Sequence, residues 1–375
     1  MRFNALKAIR ILFLLVFATP SLIYAQKTIN VVTTAVPFLR ISPDARAGGM
    51  GDVGIATLPD ANSSFWNQAK IPFASQVTAV GATYTPWLGD ITRDVYLASV
   101  SGYHQLDENS ALSGSIRYFN LGDIQFTDFN GNALGSSKPR EFSIDFGYSR
   151  KVSSKLAVGV ALRYINSRLA SGDVNNSGTN YKPGQSVSAD ISLYHNGIGA
   201  DGSGLTYGVA ITNLGTKIAY TDNAAAKEFI PANLGLGIGY TFVLDEVNKL
   251  SFALDANKLL VPSTPTDSAS LAQYHNYGVF ESWSKSFGSG SGGFKSWQFG
   301  LGAEYNYDDL FFARAGYHYE DASQGNLKYL SLGVGIRYNI AGLNFSYLIP
   351  SGNGVTRNPL SNTIRFGVTF GWDKK

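Results

Sequence analysis

The chain has 375 residues, of which 15% are charged, well below the roughly 25% of ordinary soluble proteins. Glycine (41 residues), tyrosine (21) and phenylalanine (23) are abundant. This composition excludes a set of soluble domains, which need more charge on a water-facing surface. It also excludes intrinsic disorder, because aromatic and β-branched residues are plentiful. The mean hydropathy of −0.03 is too low for a helical membrane protein.

Residues 1–25 have the pattern of a secretory signal peptide. Arg2, Lys7 and Arg10 form its positive region, an apolar run follows, and Ala25 stands at the predicted cleavage site. The apolar run is shorter than the ~20 residues that a helical anchor needs. Subtracting these three basic residues leaves 27 basic and 27 acidic groups in the mature chain. The basic charge therefore belongs to the signal, and no nucleic-acid partner is expected.

Residues 26–74 do not alternate, and we interpret them as a periplasmic or plug segment ahead of the main domain, residues 75–375. From residue 75 onward large and small side chains alternate with period two, which indicates strands. In the last run, Ile364, Phe366 and Val368 alternate with Arg365 and Gly367. Large aromatic and aliphatic residues on one face and small residues on the other are typical of a membrane barrel, with lipid outside and a lumen inside. A soluble β-sandwich is the weaker alternative, since its outer face would carry more charge.

Fifteen such runs occur, and bacterial single-chain barrels have an even number of strands. They are residues 75–84, 93–104, 109–119, 141–150, 155–168, 186–195, 204–213, 232–242, 249–258, 275–285, 296–306, 310–320, 327–338, 342–349 and 362–372. Omitting 275–285 makes short connections alternate with mostly long ones, as periplasmic turns and external loops should. We predict an all-β fold, a 14-stranded antiparallel transmembrane β-barrel with an N-terminal plug segment. Residues 275–285 then belong to a large external loop, where they could form a lid strand.

Charged residues are sparse on the predicted inner faces and carry both signs. We expect them to form structural ion pairs, because unpaired buried charges cost several kcal/mol; a selective pore lining is the alternative. The residues are Arg117, Arg163, Arg314, Arg337, Arg365, Asp145, Asp190, Asp255, Glu304 and Glu320.

Two dense stretches before the barrel carry a family resemblance. They are Ser42-Pro-Asp-Ala-Arg-Ala-Gly-Gly-Met-Gly-Asp52 and Asp60-Ala-Asn-Ser-Ser-Phe-Trp-Asn-Gln-Ala-Lys70. They resemble the PorV family of outer-membrane proteins of the type IX secretion system, within the wider FadL-like barrels. The chain has Gln68 where that family usually has proline, which puts the local turn geometry in question. The candidate plug residues are Asp44, Arg46, Gly48, Gly49, Met50, Gly51, Asp52, Asp60, Trp66, Asn67 and Lys70.

The resemblance implies an adaptor that binds the C-terminal signal domain of exported cargo. It implies three kinds of protein partner: the type IX translocon barrel, the cargo domains, and attachment-complex subunits that include a sortase-like peptidase. Outer-membrane lipid surrounds such a barrel. The alternative from the same resemblance is a FadL-like channel for small hydrophobic molecules.

No catalytic, metal or cofactor site is expected. The four histidines, His104, His195, His275 and His318, form no metal-binding spacing, and no nucleophile elbow or Walker A sequence occurs. Aromatic residues in the predicted external loop are instead candidates for partner contact, because such residues are enriched where proteins bind proteins. Packing of these aromatics on the barrel rim is the alternative. They are Tyr274, Tyr277, Phe280, Trp283, Phe287 and Phe294.

Overall fold

The structure, a computed structural model, describes residues 32–87, 92, 94–127, 130–173, 178–222, 227–265, 267–288, 293–349 and 362–373. The predicted signal peptide, residues 1–25, lies outside the described residues. Within the described part of the chain, no helix is long and apolar enough to cross a membrane.

Fourteen strands in the described residues close into an antiparallel barrel, as the sequence predicted. Each barrel strand pairs with the next barrel strand along the chain. The first, β1 (Thr78–Pro86), closes the ring with the last, β18 (Ile364–Trp372), from Thr78 opposite Trp372 to Tyr84 opposite Phe366. The barrel strands are β1 (Thr78–Pro86), β2 (Val95–Gln105), β3 (Ser110–Leu121), β6 (Arg140–Lys151), β7 (Leu156–Arg168), β10 (Gly184–Ile198), β11 (Gly204–Gly215), β12 (Asn233–Val243), β13 (Asn248–Leu259), β14 (Trp297–Tyr307), β15 (Phe311–Tyr319), β16 (Tyr329–Tyr338), β17 (Ala341–Ile349) and β18 (Ile364–Trp372).

The period-two pattern corresponds to the two faces of the wall. In β7, Val160 and Leu162 are 53% and 64% exposed, whereas Ala161 and Arg163 between them are buried. Large apolar side chains on the outside are what a membrane-facing wall requires. Burial of the intervening residues shows that the lumen is filled.

The two ends of the barrel differ in their connections. Six connections of two to five residues lie at one end, and connections of 8 to 37 residues lie at the other. Short turns face the periplasm and long loops the exterior in such barrels, so we call these the short-turn end and the external end. Two hairpins that the sequence did not predict lie in the external loops. They are β4 (Ile124–Thr127) with β5 (Ala133–Ser137), and β8 (Gly172–Asp173) with β9 (Asn180–Tyr181).

The longest external loop corrects one prediction. Residues 275–285 belong to this loop as expected, but they form no lid strand. The loop contains helices Ser268–Asn276 and Val279–Lys285, followed by a 3₁₀ turn at Gly293–Ser296. The Asp267 carboxylate accepts a hydrogen bond from the Ser270 N–H at 2.8 Å and so caps the first helix.

The residues before β1 form an inner segment, defined as residues 37–74, which runs through the lumen. It contains the 3₁₀ helix Pro37–Arg40, the one-turn helices Ala45–Gly48 and Ser63–Trp66, and the 3₁₀ helix Gln68–Phe73. Near its start, Phe38 stacks on Phe119 close to the external end of β3, at 6.3 Å between ring centroids. At its end, Gln105 Nε2 donates to the Ala74 carbonyl at 2.9 Å at the short-turn end. The segment therefore descends the full length of the lumen.

Candidate functional site

The two motif stretches of the inner segment bind each other. Asp44 caps a one-turn helix, because its Oδ1 accepts a bond from the Ala47 N–H at 2.8 Å. Its Oδ2 accepts a second bond from Trp66 Nε1 at 2.7 Å. Arg46 donates to Asp60 Oδ2, also at 2.8 Å. Each stretch thus supplies the partners of the other, and the segment folds as one unit.

Arg46 also ties the inner segment to the barrel wall. Its Nε and Nη2 donate to both carboxylate oxygens of Glu304 on β14, at 2.9 and 2.8 Å, and Nη1 donates to the Leu58 carbonyl at 2.9 Å. Arg314 on β15 donates to the same Glu304 carboxylate at 2.6 Å and to Asn344 Oδ1 at 2.9 Å. Glu304 and Arg314 are buried. Bidentate pairing of this kind is the strong form of an ion pair.

Asp52 makes a second ionic connection to the wall. Its carboxylate accepts bonds from Arg365 Nη1 at 2.5 Å and Nη2 at 3.3 Å, and from the Tyr329 hydroxyl. These two residues come from β18 and β16. Gly48 lies against the same arginine, since a Cβ there would stand 2.3 Å from Arg365 Nη1. A side chain at this position would displace the guanidinium that holds Asp52.

Buried groups of opposite charge hold the peptide at Gly54. Lys70 Nζ donates to the Gly54 carbonyl at 2.7 Å and to Thr57 Oγ1 at 3.1 Å. From the wall, Asp255 Oδ2 on β13 accepts bonds from the N–H groups of Gly54 and Ile55 at 2.7 and 2.9 Å. Burial lowers the pKa of Lys70 to about 8. The lysine therefore fixes the Gly54 peptide from inside the protein, with no contact to bulk solvent.

Asn67 holds the turn where the family usually has a following proline. Its Oδ1 accepts a bond from the Ala69 N–H at 3.0 Å, and its Nδ2 donates to the Leu193 carbonyl of β10, also at 3.0 Å. Gln68, the substituted residue, accepts a bond from the Ser113 hydroxyl at 2.8 Å. Side-chain hydrogen bonds therefore fix the turn without the proline.

The glycines of the motif allow the inner segment to touch the wall backbone to backbone. A Cβ at Gly49 would lie 2.8 Å from Gly333 Cα, and one at Gly316 would lie 2.0 Å from the Gly51 nitrogen. Met50, between the two motif glycines, is buried. Real Cβ atoms do not approach so closely, so glycine on both partners is a requirement of this contact.

The predicted inward charges are mostly paired. Arg163 binds Asp145 and, at 2.8 Å, Asp190, and Arg117 lies 3.5 Å from Asp145. These groups are buried, and the expectation of structural ion pairs is confirmed for them. Arg337 differs, because it is exposed near the short-turn end. In the part of the chain that the structure describes, no cluster of three metal-ligating side chains occurs.

Among the described residues, a cavity lies in the lumen on each side of the inner segment. The external one has a volume of about 530 Å³, and apolar residues such as Phe38, Trp87 and Phe119 line its upper part. Arg117 and Arg365 line its base. The second, about 360 Å³, lies toward the short-turn end and has a polar lining that includes Arg46. The motif residues thus lie between the external cavity and the cavity at the short-turn end.

The external loop separates the six candidate contact residues into two groups. Tyr274 is 1% exposed and packs inside the loop, so a partner cannot touch it there, and its assignment to a contact surface was wrong. Tyr277 is half-buried beside it, at 6.2 Å between ring centroids. Phe280 is 79% exposed and packs edge-on against half-buried Trp283 at 4.8 Å. Phe287 and Phe294 are also exposed. This second group offers apolar surface to a partner.

Solved structures of bacterial toluene transporters have a similar fold. The toluene transporter TbuX of Ralstonia pickettii matches with 13% identity and a TM-score of 0.53, over 89% of this chain and 98% of its own. The toluene transporter TodX of Pseudomonas putida matches with 12% identity and a TM-score of 0.51, over 89% and 99%. No curated protein matches the chain. At 12–13% identity these matches show a shared fold, a closed antiparallel β-barrel.

The family is narrower than the fold class. The family model described as type IX secretion system protein PorV matches residues 24–267, which include the whole inner segment and the strands up to β13. The chain belongs to the PorV family.

Proposed function

We propose that this protein is an outer-membrane adaptor of the type IX secretion system that binds the C-terminal signal domains of exported cargo. In this role it takes cargo from the translocon barrel and passes it to the cell-surface attachment complex, which contains a sortase-like peptidase. Membership of the PorV family supports the assignment to this system.

The observation that carries the proposal is the exposed aromatic group of the external loop. Phe280 and Trp283 lie on the helix Val279–Lys285 of this loop, and Phe287 follows it; Phe280 and Phe287 are exposed and Trp283 is half-buried. Exposed aromatic side chains without an apolar neighbour to cover them are typical of protein-binding surfaces. Cargo that has reached the exterior would meet this loop first.

The inner segment supports the same role, because we propose that it is a permanent plug. Arg46 and Asp52 bind two different strands, β14 and β18, through ion pairs, and Asp255 on β13 holds the segment from a third. A folded cargo domain has no path through a lumen occupied in this way. We therefore propose that such cargo binds to the external surface of the protein and not inside the lumen.

Affinity purification of the tagged full-length protein from native membranes tests the proposal. We expect the double variant Phe280→Ser, Trp283→Ser to capture at least about tenfold less cargo than the wild type, the loss that follows from removing ~1.4 kcal/mol of contact energy. Tyr338→Ser is the control, because this tyrosine is equally exposed but lies at the short-turn end. Normal cargo capture by the double variant would show that the loop is not the contact surface.

A second candidate function is a channel for small hydrophobic molecules. The external cavity of about 530 Å³, with its apolar upper wall, favours it. The test is uptake of long-chain fatty acid and of toluene by cells with and without the protein. Equal uptake in both strains would count against a channel.

Export through residues 1–25 is part of the proposal. The mature protein should then begin at Gln26, as sequencing of the purified protein from its N-terminus would reveal. A chain that retains Met1 in the outer membrane would contradict the assignment of this signal.

A further inference from the structure

The outer wall is concave on both sides of the seam between β18 and β1. A groove of about 720 Å³ lies there on the outside of β16, β17, β18, β1, β2 and β3. Ala82 and Ala98 are half-buried in it, whereas Val100, Leu343 and Phe366 around them are exposed. Two small side chains between large ones therefore form a groove rather than a flat wall.

The exposed lining of the groove is apolar. Its exposed side chains are mainly aliphatic or aromatic, for example Ile116, Ile336 and Val368. They belong to the same outward-facing rows as the rest of the membrane-facing wall. A chain lying in the groove contacts apolar atoms on its floor and on both sides, so it gains more dispersion energy than one lying on a convex wall.

Tyrosines mark the external end of the groove. Tyr84, Tyr96 and Tyr118 form a continuous row, with ring centroids 5.3 and 6.3 Å apart. They lie on β1, β2 and β3 near the long external connections. Aromatic girdles of barrels lie at the level of the lipid headgroups, where the ring is in an apolar layer and the hydroxyl meets polar groups.

We propose that this groove is a binding site for one acyl chain of a membrane lipid, whose headgroup lies beside the row of tyrosines. The groove is continuous with the lipid-facing surface of the barrel, which favours lipid as its occupant. Its exposed side chains carry no charge that would specify a protein partner. The site is independent of the inner segment and of the external loop.

A photoreactive lipid tests the proposal. The full chain is reconstituted in phosphatidylethanolamine vesicles that contain a fraction of phosphatidylethanolamine with a diazirine in one acyl chain. After irradiation, adducts are mapped by mass spectrometry. We expect Leu343 and Phe366 to be labelled at least about threefold more than Leu162, which is at least as exposed but lies on β7, outside the groove.

Filling the groove should remove this preference. The variant Ala82→Phe, Ala98→Phe should label its rim no more than Leu162, while Ala256→Phe, a lipid-facing change on distant β13, should label like the wild type. Heat-modifiable electrophoretic mobility verifies that each variant is a folded barrel. Even labelling around the wild-type barrel would overturn the proposal. So would cross-linking of a photoreactive residue at position 343 to a second copy or another protein in native membranes.

Discussion

The inner segment and the external loop are both irregular regions attached to one barrel, yet they are held in different ways. The inner segment is fixed by buried charge: Arg46 and Asp52 each bind a charged wall residue, and glycines bring its backbone against the strands. The loop is held by a small apolar cluster around Phe229, Val261 and Tyr274. Outside that cluster, Phe280 and Phe287 are exposed and Trp283 is half-buried.

This difference separates two tasks. Removing one partner of a buried ion pair leaves an uncompensated charge, which costs free energy. Partial detachment of the inner segment from the wall is therefore unfavourable. The loop helices contact few residues and can adjust to a binding partner at low cost. We infer that the inner segment keeps one conformation in the lumen, whereas the external loop can change its conformation to fit a partner.

Among the changes considered, removal of the Arg46 side chain should lower the free energy of unfolding the most. Arg46→Ala leaves Glu304 and Asp60 without a shared partner, and we expect a loss of ~3–5 kcal/mol in the free energy of unfolding. Urea unfolding of the barrel in detergent measures it. Arg46→Lys keeps the charge but loses the bidentate geometry, so its loss should be smaller. A change below ~0.5 kcal/mol in Arg46→Ala, the range of surface substitutions, would mean that the segment is not held by this pair.

Lys70 should make the stability of the inner segment depend on pH. Its pKa is about 8 in the folded protein and 10.5 in its ordinary state. The unfolded chain therefore binds more protons between these values, and stability should rise as the pH increases from about 8 to about 10.5. The gain attributable to Lys70 is up to about 3 kcal/mol, since each unit of pKa corresponds to ~1.4 kcal/mol.

The control for this pH effect is Lys70→Met, which keeps the length of the side chain without a titrating group. The difference in unfolding free energy between wild type and variant should change across that window and be flat below it. Parallel pH profiles for the two proteins would show that Lys70 is not buried in its charged form.

Two glycine substitutions give the smallest effect and the sharpest contrast between the regions. Gly316→Ala places a Cβ 2.0 Å from the Gly51 nitrogen and should cost ~1–3 kcal/mol through overpacking. Gly278→Ala in the external loop meets no atom within 4 Å and should leave stability unchanged. Comparison of their thermal unfolding midpoints checks both. Equal midpoints would contradict a rigid contact between the segment and the wall.

The barrel could be predicted from the sequence because a membrane imposes the same pattern on every strand. Runs such as 155–168 alternate strictly, and the resulting strands differ from prediction by only a few residues at their ends. The pattern failed at 275–285, where no lipid faces the chain. There the alternating aromatics belong to short helices, which bury Tyr274 and leave Phe280 outside.

The candidate site was predicted only in part, for a physical reason. The motif identified Asp44, Arg46 and Lys70, but alternation cannot say which inward residue of a strand meets which residue of the segment. Asp255 was expected among ion pairs and instead accepts two backbone N–H groups. Gly316 and Gly333 looked like any small lumen residue, although each is in direct contact with the segment.

The path of the inner segment has a consequence for assembly of the protein in its membrane. Its backbone runs from the external end, near Pro37, to the short-turn end, near Ala74, before the first strand begins. A barrel that had already closed would have to admit this polypeptide through a lumen lined by charged groups and with little spare width. We therefore expect β18 to pair with β1 only after the segment has docked. The inner segment would then already be in place when the pairing of β18 with β1 closes the barrel around it.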